Sequence, residues 1–163
     1  MTLTTKVKSL LARKESKNLL SIALSHSDIS YCYSSIDAGL EYKLLSVVNE
    51  DAVNALNALH NVDGLTARCE LILSSKLYQI VQIDKPKIPE NELLAGLKWQ
   101  VKDLVTIPSD DMVLDYFDGP SLAGVNKINV VCAHQSKIKA MVTALHKDSL
   151  TLKSITTEEF AFA

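Results

Sequence analysis

The chain is poor in the residues that usually announce chemistry. It has five glycines in 163 residues, and Gly64, Gly119 and Gly124 stand isolated. No G-x-G-x-x-G or P-loop spacing forms, so the pattern offers no loop to cradle a phosphate. Cysteines number three: Cys32, Cys69 and Cys132. The count is odd and no C-x-x-C occurs, which points away from a disulfide framework and from a zinc site. Each lies in an apolar, strand-like run and reads as a buried free thiol in a reducing compartment. Neither sign of charge dominates; the net charge of −2 argues against a nucleic-acid binder. No apolar run reaches the roughly 18 residues of a membrane-spanning helix. At the N-terminus Lys6, Lys8, Arg13 and Lys14 interrupt the apolar residues, so no signal-peptide core of about 7 residues forms. These absences lead to the expectation of a cytoplasmic protein.

What is present is ordinary for a globular chain: 47% hydrophobic and 22% charged residues. The length suits one domain, or one domain with a small insertion, and such a chain buries most of its apolar surface unaided. Residues 1–18 form a basic arm, with Lys6, Lys8, Arg13, Lys14 and Lys17 against Glu15. Leu3, Val7, Leu10 and Leu11 recur at helical spacing. The arm reads either as an amphipathic helix on an anionic membrane surface or as a solvated terminal tail.

Three strand-like runs follow: Leu19–Leu24, Ile29–Ser35 and Leu40–Val48. His26-Ser27-Asp28 and Asp37-Ala38-Gly39 supply the turns of an antiparallel meander. Asn49 and Asp51 are caps for a helix reaching about His60, with the stripe Val53, Leu56 and Leu59. A strand, CELIL, lies within Leu65–Leu73. The central segment reads as strand 78–84, helix 89–105 and strand 111–118. Pro89 suits the first helical turn, Glu90 and Glu92 suit its positive end, and Pro108 blocks continuation. The stripe of that helix is Leu93, Leu94, Leu97, Val101, Leu104 and Val105. Ile128–Ala133 is nearly all apolar, as a strand buried on both faces reads. A helix over about Ser136–His146, a strand over Leu150–Ile155 and a helix start capped by Thr156 or Thr157 complete the chain. The mix predicts an α/β domain with a mixed sheet.

Two stretches resemble the PilM/MshI family of type IV pilus assembly proteins. In the first, Pro89, Glu92, Leu93, Leu97, Trp99, Lys102, Asp103 and Leu104 match the family's helix, E-L-x-x-A-L-x-W-x-x-K-D-L. Pro108, Asp110, Asp111, Val113, Asp115, Tyr116 and Phe117 match the link and the D-D-x-V-x-D-Y-F strand that follow. This stretch favours the MshI branch, from mannose-sensitive haemagglutinin (MSHA) pili. In the second, Val130, Val131, Ala133, Glu159, Phe160 and Ala161 match a later strand and a strand-to-helix passage. The cytoplasmic part of the GspL proteins of type II secretion is the nearest rival.

The resemblance implies a ribonuclease H-like, actin-like lobe with a small inserted β-α-β subdomain. Residues 19–75 and 121–163 would form the lobe and 76–120 the insertion. It also implies a cytoplasmic scaffold, peripheral at the inner membrane, holding the tail of a PilN-like membrane protein in a groove beside the insertion. The candidates for that contact are Tyr78, Ile80, Leu97, Trp99 and Val101. Trp99 lies off the apolar stripe beside Ala95 and Gly96, and reads equally as a docking aromatic or as packing against the main lobe.

One departure from the actin-like pattern bears on catalysis. Where those ATPases carry a Gly-Ile-Asp-Ile-Gly type of loop, this chain has Ser21-Ile22-Ala23-Leu24-Ser25. The glycines that admit phosphate and the acid that orients a metal's water shell are absent. The expectation is no enzyme, no catalytic residue, no metal and no cofactor. The competing reading is an actin-like ATPase completed by a second lobe. A divergent nuclease is disfavoured, because Asp28, Asp37 and Glu41 sit at turns or strand starts. Asp110, Asp111, Asp115 and Asp118 alternate over both faces of a strand and read as solvated or edge-protecting. His60 and His146 fall near helix C-termini, where an imidazolium suits the dipole. His134 ends a strand at a place where α/β proteins often bind ligands. A third reading is a homo-oligomer formed through the apolar C-terminal residues 160–163.

Overall fold

The computed structural model describes residues 17–25, 28–35, 39–46, 51–62, 65–122, 125–146 and 150–161. The amphipathic stretch of the basic arm lies outside the described residues. β1 (Leu19–Leu24), β2 (Asp28–Ser35) and β3 (Gly39–Ser46) form the expected antiparallel meander. Gly39 opens β3 at φ 80°, a left-handed conformation that glycine adopts without a Cβ penalty. Asp51 caps α1 (Ala52–Ala58) by accepting a hydrogen bond from the Val53 N–H at 3.1 Å. β4 (Ala67–Leu73) then lies parallel to β1, and β8 (Leu150–Thr157) lies parallel to β4. The resulting five-stranded mixed sheet has the order β3-β2-β1-β4-β8.

Alternation in the sequence becomes one buried face of this sheet. Leu20, Ile22 and Leu24 of β1 stand beside Tyr31 and Ile29 of β2 and beside Cys69, Leu71 and Leu73 of β4. α1 and α3 (Gln135–Leu145) cover that face with Leu56, Leu59, Met141 and Leu145. Each such side chain contributes roughly 1.5–3 kcal/mol by leaving water. The Cys69 and Cys132 thiols are pushed up to about 11 by burial, so both are unreactive packing groups near neutrality.

A second, three-stranded sheet holds β5 (Tyr78–Asp84), β6 (Met112–Leu122) and β7 (Val125–His134) in the order β5-β7-β6, all antiparallel. This corrects the boundary expected at residue 120. The run Ile128–Ala133, assigned from sequence to the larger lobe, is the central strand of the smaller sheet. Its apolarity has a physical cause on each side. Ile128, Val130 and Cys132 pack with α2 (Glu90–Val101), while Val131 and Ala133 turn to the core of the larger sheet.

α2 ends at Val101, short of the expected 105. Leu93, Leu97 and Val101 are its buried stripe, while Leu94 and Leu104 are exposed. The turn that follows lets Ile107 enter the core just before Pro108.

Candidate functional site: a groove between two sheet edges

Among the described residues, β6 is an edge strand of the small sheet and β8 an edge strand of the large one. A groove of about 390 Å³ runs between them, lined by Val113, Asp115 and Phe117 of β6, Val131 of β7, Ile155 of β8 and Phe160. β6 sends alternate side chains to opposite faces. Met112, Leu114 and Tyr116 join the core under α2, and this frees Val113, Asp115 and Phe117 to face the groove. Thr157 also lines it. That residue is 7% exposed, and its hydroxyl is a hydrogen-bond partner of Tyr78 and Glu159.

The short helix α4 (Glu158–Ala161) ties one end of the groove to the small sheet. Glu158 accepts a hydrogen bond from the Ser75 N–H at 3.1 Å. Glu159 accepts one from the Tyr78 hydroxyl at 2.6 Å. Burial, and then the Glu159 carboxylate, push the Tyr78 phenol far above its ordinary range. The same bond holds Glu159 below the usual carboxylate range. Phe160 meets Phe117 edge to face, with ring centroids 4.5 Å apart.

Asp111, at the start of β6, fixes the small sheet to α3. Its Oδ1 accepts from the Ser136 N–H, its Oδ2 accepts from the Ser136 hydroxyl, and His134 Nδ1 stands 2.8 Å from the same Oδ2. A carboxylate 25 residues upstream thus caps α3. This corrects the reading of Asp111 as solvated or edge-protecting, and it gives His134 a partner. Asp118 instead pairs with Lys85 at 3.0 Å. His146 is the C-cap residue of α3, as its position suggests.

The bond to His134, followed by those from Ser136, holds the Asp111 carboxyl down to about 2, against an ordinary 3.8. A lowered carboxylate pKa contributes stability above the ordinary value and loses it as pH falls toward the lowered one. Asp111→Ala is therefore expected to lower the melting temperature by about 2–4 °C at pH 7. That difference should shrink between pH 3.8 and about 2. Melting curves followed by circular dichroism check both, and a difference independent of pH would contradict the capping role.

The structure does not gather the five residues expected to contact a partner. Leu97 and Val101 are 0% exposed, because they form the α2 side of the small core. Tyr78 and Ile80 face the larger core from β5. Trp99 alone is free, at 73% exposure, with the Lys102 ammonium 5.0 Å from its ring centroid. The small-residue shelf beside it is occupied from within: a Cβ on Gly96 would stand 2.6 Å from Ile88 Cδ1. Sequence reasoning missed Val113 and Ile155 as groove residues. Alternation marks the two faces of a strand, but it does not say which face lies against a helix.

No family model matches the chain, and no curated protein matches it. Among solved structures it is similar to the cytoplasmic domain of EpsL, an inner membrane component of the type II secretion system of Vibrio cholerae. There the TM-score is 0.65 and the identity 13%, over 86% of this chain and 57% of that one. It is also similar to a chain of the PilM-PilN type IV pilus biogenesis complex, with a TM-score of 0.66 and 16% identity over 91% of this chain and 49% of that one. The chain therefore spans about half the length of the structures it matches. The fold is an actin-like α/β lobe with a mixed sheet and a small inserted sheet.

Proposed function

We propose that this chain is a non-catalytic scaffold module of a pilus or secretion machine, and that it holds an extended segment of a membrane protein in the groove between β6 and β8. One observation carries the reading: the groove is apolar and flanked by two strand edges that pair no further among the described residues. An extended peptide would bond its backbone to such an edge and place alternate side chains in the apolar trough.

The likeness of fold to a PilM-PilN complex supports a PilN-like tail as the occupant. On this reading the module sits in the cytoplasm and its partner draws it to the inner membrane. The finer reading, an MshI-type component of MSHA pili, rests on the residues from Pro89 to Phe117 quoted above. The alternative of a GspL-like component of type II secretion is favoured by the comparable likeness to EpsL.

The module reading and the reading as a nucleotide-binding lobe give opposite results in thermal unfolding. A PilN-type tail peptide at 100 times its dissociation constant is expected to add about 2.7 kcal/mol to stability. Mg-ATP is expected to add nothing. A shift with Mg-ATP and none with tail peptides of either system would reverse the assignment.

A further inference from the structure

Among the described residues, the other edge strand of the large sheet is β3, and it carries its own pattern. β3 pairs with β2 along eight residues without a bulge. On one face it presents Leu40, Tyr42 and Leu44, exposed to 57%, 73% and 67%. On the other face it presents Glu41 and Lys43, themselves 3.5 Å apart and half exposed. Protein edges are normally blunted by prolines, bulges or repeated lysines. Within β3 there is no proline, no bulge and one lysine.

We infer that β3 is a self-pairing edge: two copies of this chain join β3 to β3, antiparallel, about a twofold axis through Tyr42. The sequence is complementary to itself in that register and not in its neighbours. Antiparallel pairing centred on Tyr42 sets Leu40 opposite Leu44, Tyr42 opposite Tyr42, and Glu41 opposite Lys43. A slip centred on Glu41 sets glutamate against glutamate. A slip centred on Lys43 sets lysine against lysine. A register centred between two residues sets side chains from opposite faces against each other, which the pleat forbids. Directly opposed unlike charges stabilise an antiparallel pair and like charges oppose it. The joined stripes set six apolar side chains, three from each copy, side by side on one face, beside the half-buried Cys32, which pairs with Tyr42 across β2 and β3. A C2 contact of this kind closes on itself and gives a dimer. The groove between β6 and β8 is at the opposite side of the sheet, so both contacts are available to one molecule.

A single strand pair buries less than the roughly 1,200 Å² of a stable complex, so the dimer is a weak one. Sedimentation equilibrium on the full chain, at concentrations up to about 500 µM, reads it directly. The wild type is expected to dimerise. Glu41→Lys sets the introduced lysine against Lys43 of the other copy, and Lys43→Glu sets the introduced glutamate against Glu41. Each variant alone is expected to associate at least tenfold more weakly. An equimolar mixture of the two restores both unlike pairs and is expected to dimerise as the wild type does. That recovery also shows both variants to be folded. A wild type that stays monomeric overturns the inference, as it would if residues 1–16 or another protein covered β3. So do variants that dimerise alone as well as the wild type, or a mixture that stays monomeric.

Discussion

Leu97→Ala should cost about 2–5 kcal/mol of unfolding free energy, the range for truncating a fully buried leucine that leaves a cavity. Leu97 is the central side chain of the buried stripe of α2 and packs with Ile128, Val130 and Cys132 of the small sheet. Leu97 is not among the residues that line the groove, so any loss of tail binding in this variant should follow from unfolding. Leu94→Ala, three positions earlier and half exposed, should change stability by no more than about 0.5 kcal/mol. Urea unfolding of both variants, followed by circular dichroism, makes the comparison. Equal losses at the two positions would mean that α2 is rotated relative to the face described.

Val113→Glu should weaken binding of a PilN-type tail peptide at least about 30-fold, since a charge placed in an apolar trough acts at the scale of a hot-spot loss. Val113 is 37% exposed, so the variant should keep its fold. Trp99→Ala is the informative control. Its side chain projects to solvent from α2, which covers the face of the small sheet turned away from the groove. Binding measured by anisotropy of a labelled peptide should be unchanged in that variant. The reverse outcome, with Trp99 essential and Val113 dispensable, would move the partner to the outer face of α2.

Much of this architecture was readable before any coordinates, and the failures share one cause. The meander, the Asp51 cap, the buried stripe of α1 and the existence of β5 through β8 follow from alternation, helical spacing and turn residues, which are local. Strand neighbours are not local. Ile128–Ala133 announced burial on both sides correctly, yet nothing in it says that the covering layers are α2 and the larger core. The same limit hid Asp111, whose partners Ser136 and His134 lie more than 20 residues away in sequence. Two of the contact candidates lie in a core for a related reason. Leu97 and Val101 stood out because they are apolar and regular, and those are the marks of a core. The groove residues Val113 and Ile155 stood out less, because an apolar side chain at a partner surface and one in a core look alike in a sequence.

The position of β8 has a consequence for the birth of the molecule. The large sheet lacks its fifth strand until residues 150–157 are made, and by then the whole of the small sheet, residues 78–134, has been synthesised. The inner unit is built from short-range pairings and can assemble first, while β4 waits with a naked edge for a neighbour about 80 residues downstream. Translation that stalls before β8 therefore leaves a sticky, half-finished sheet, and chaperone demand should peak in that interval.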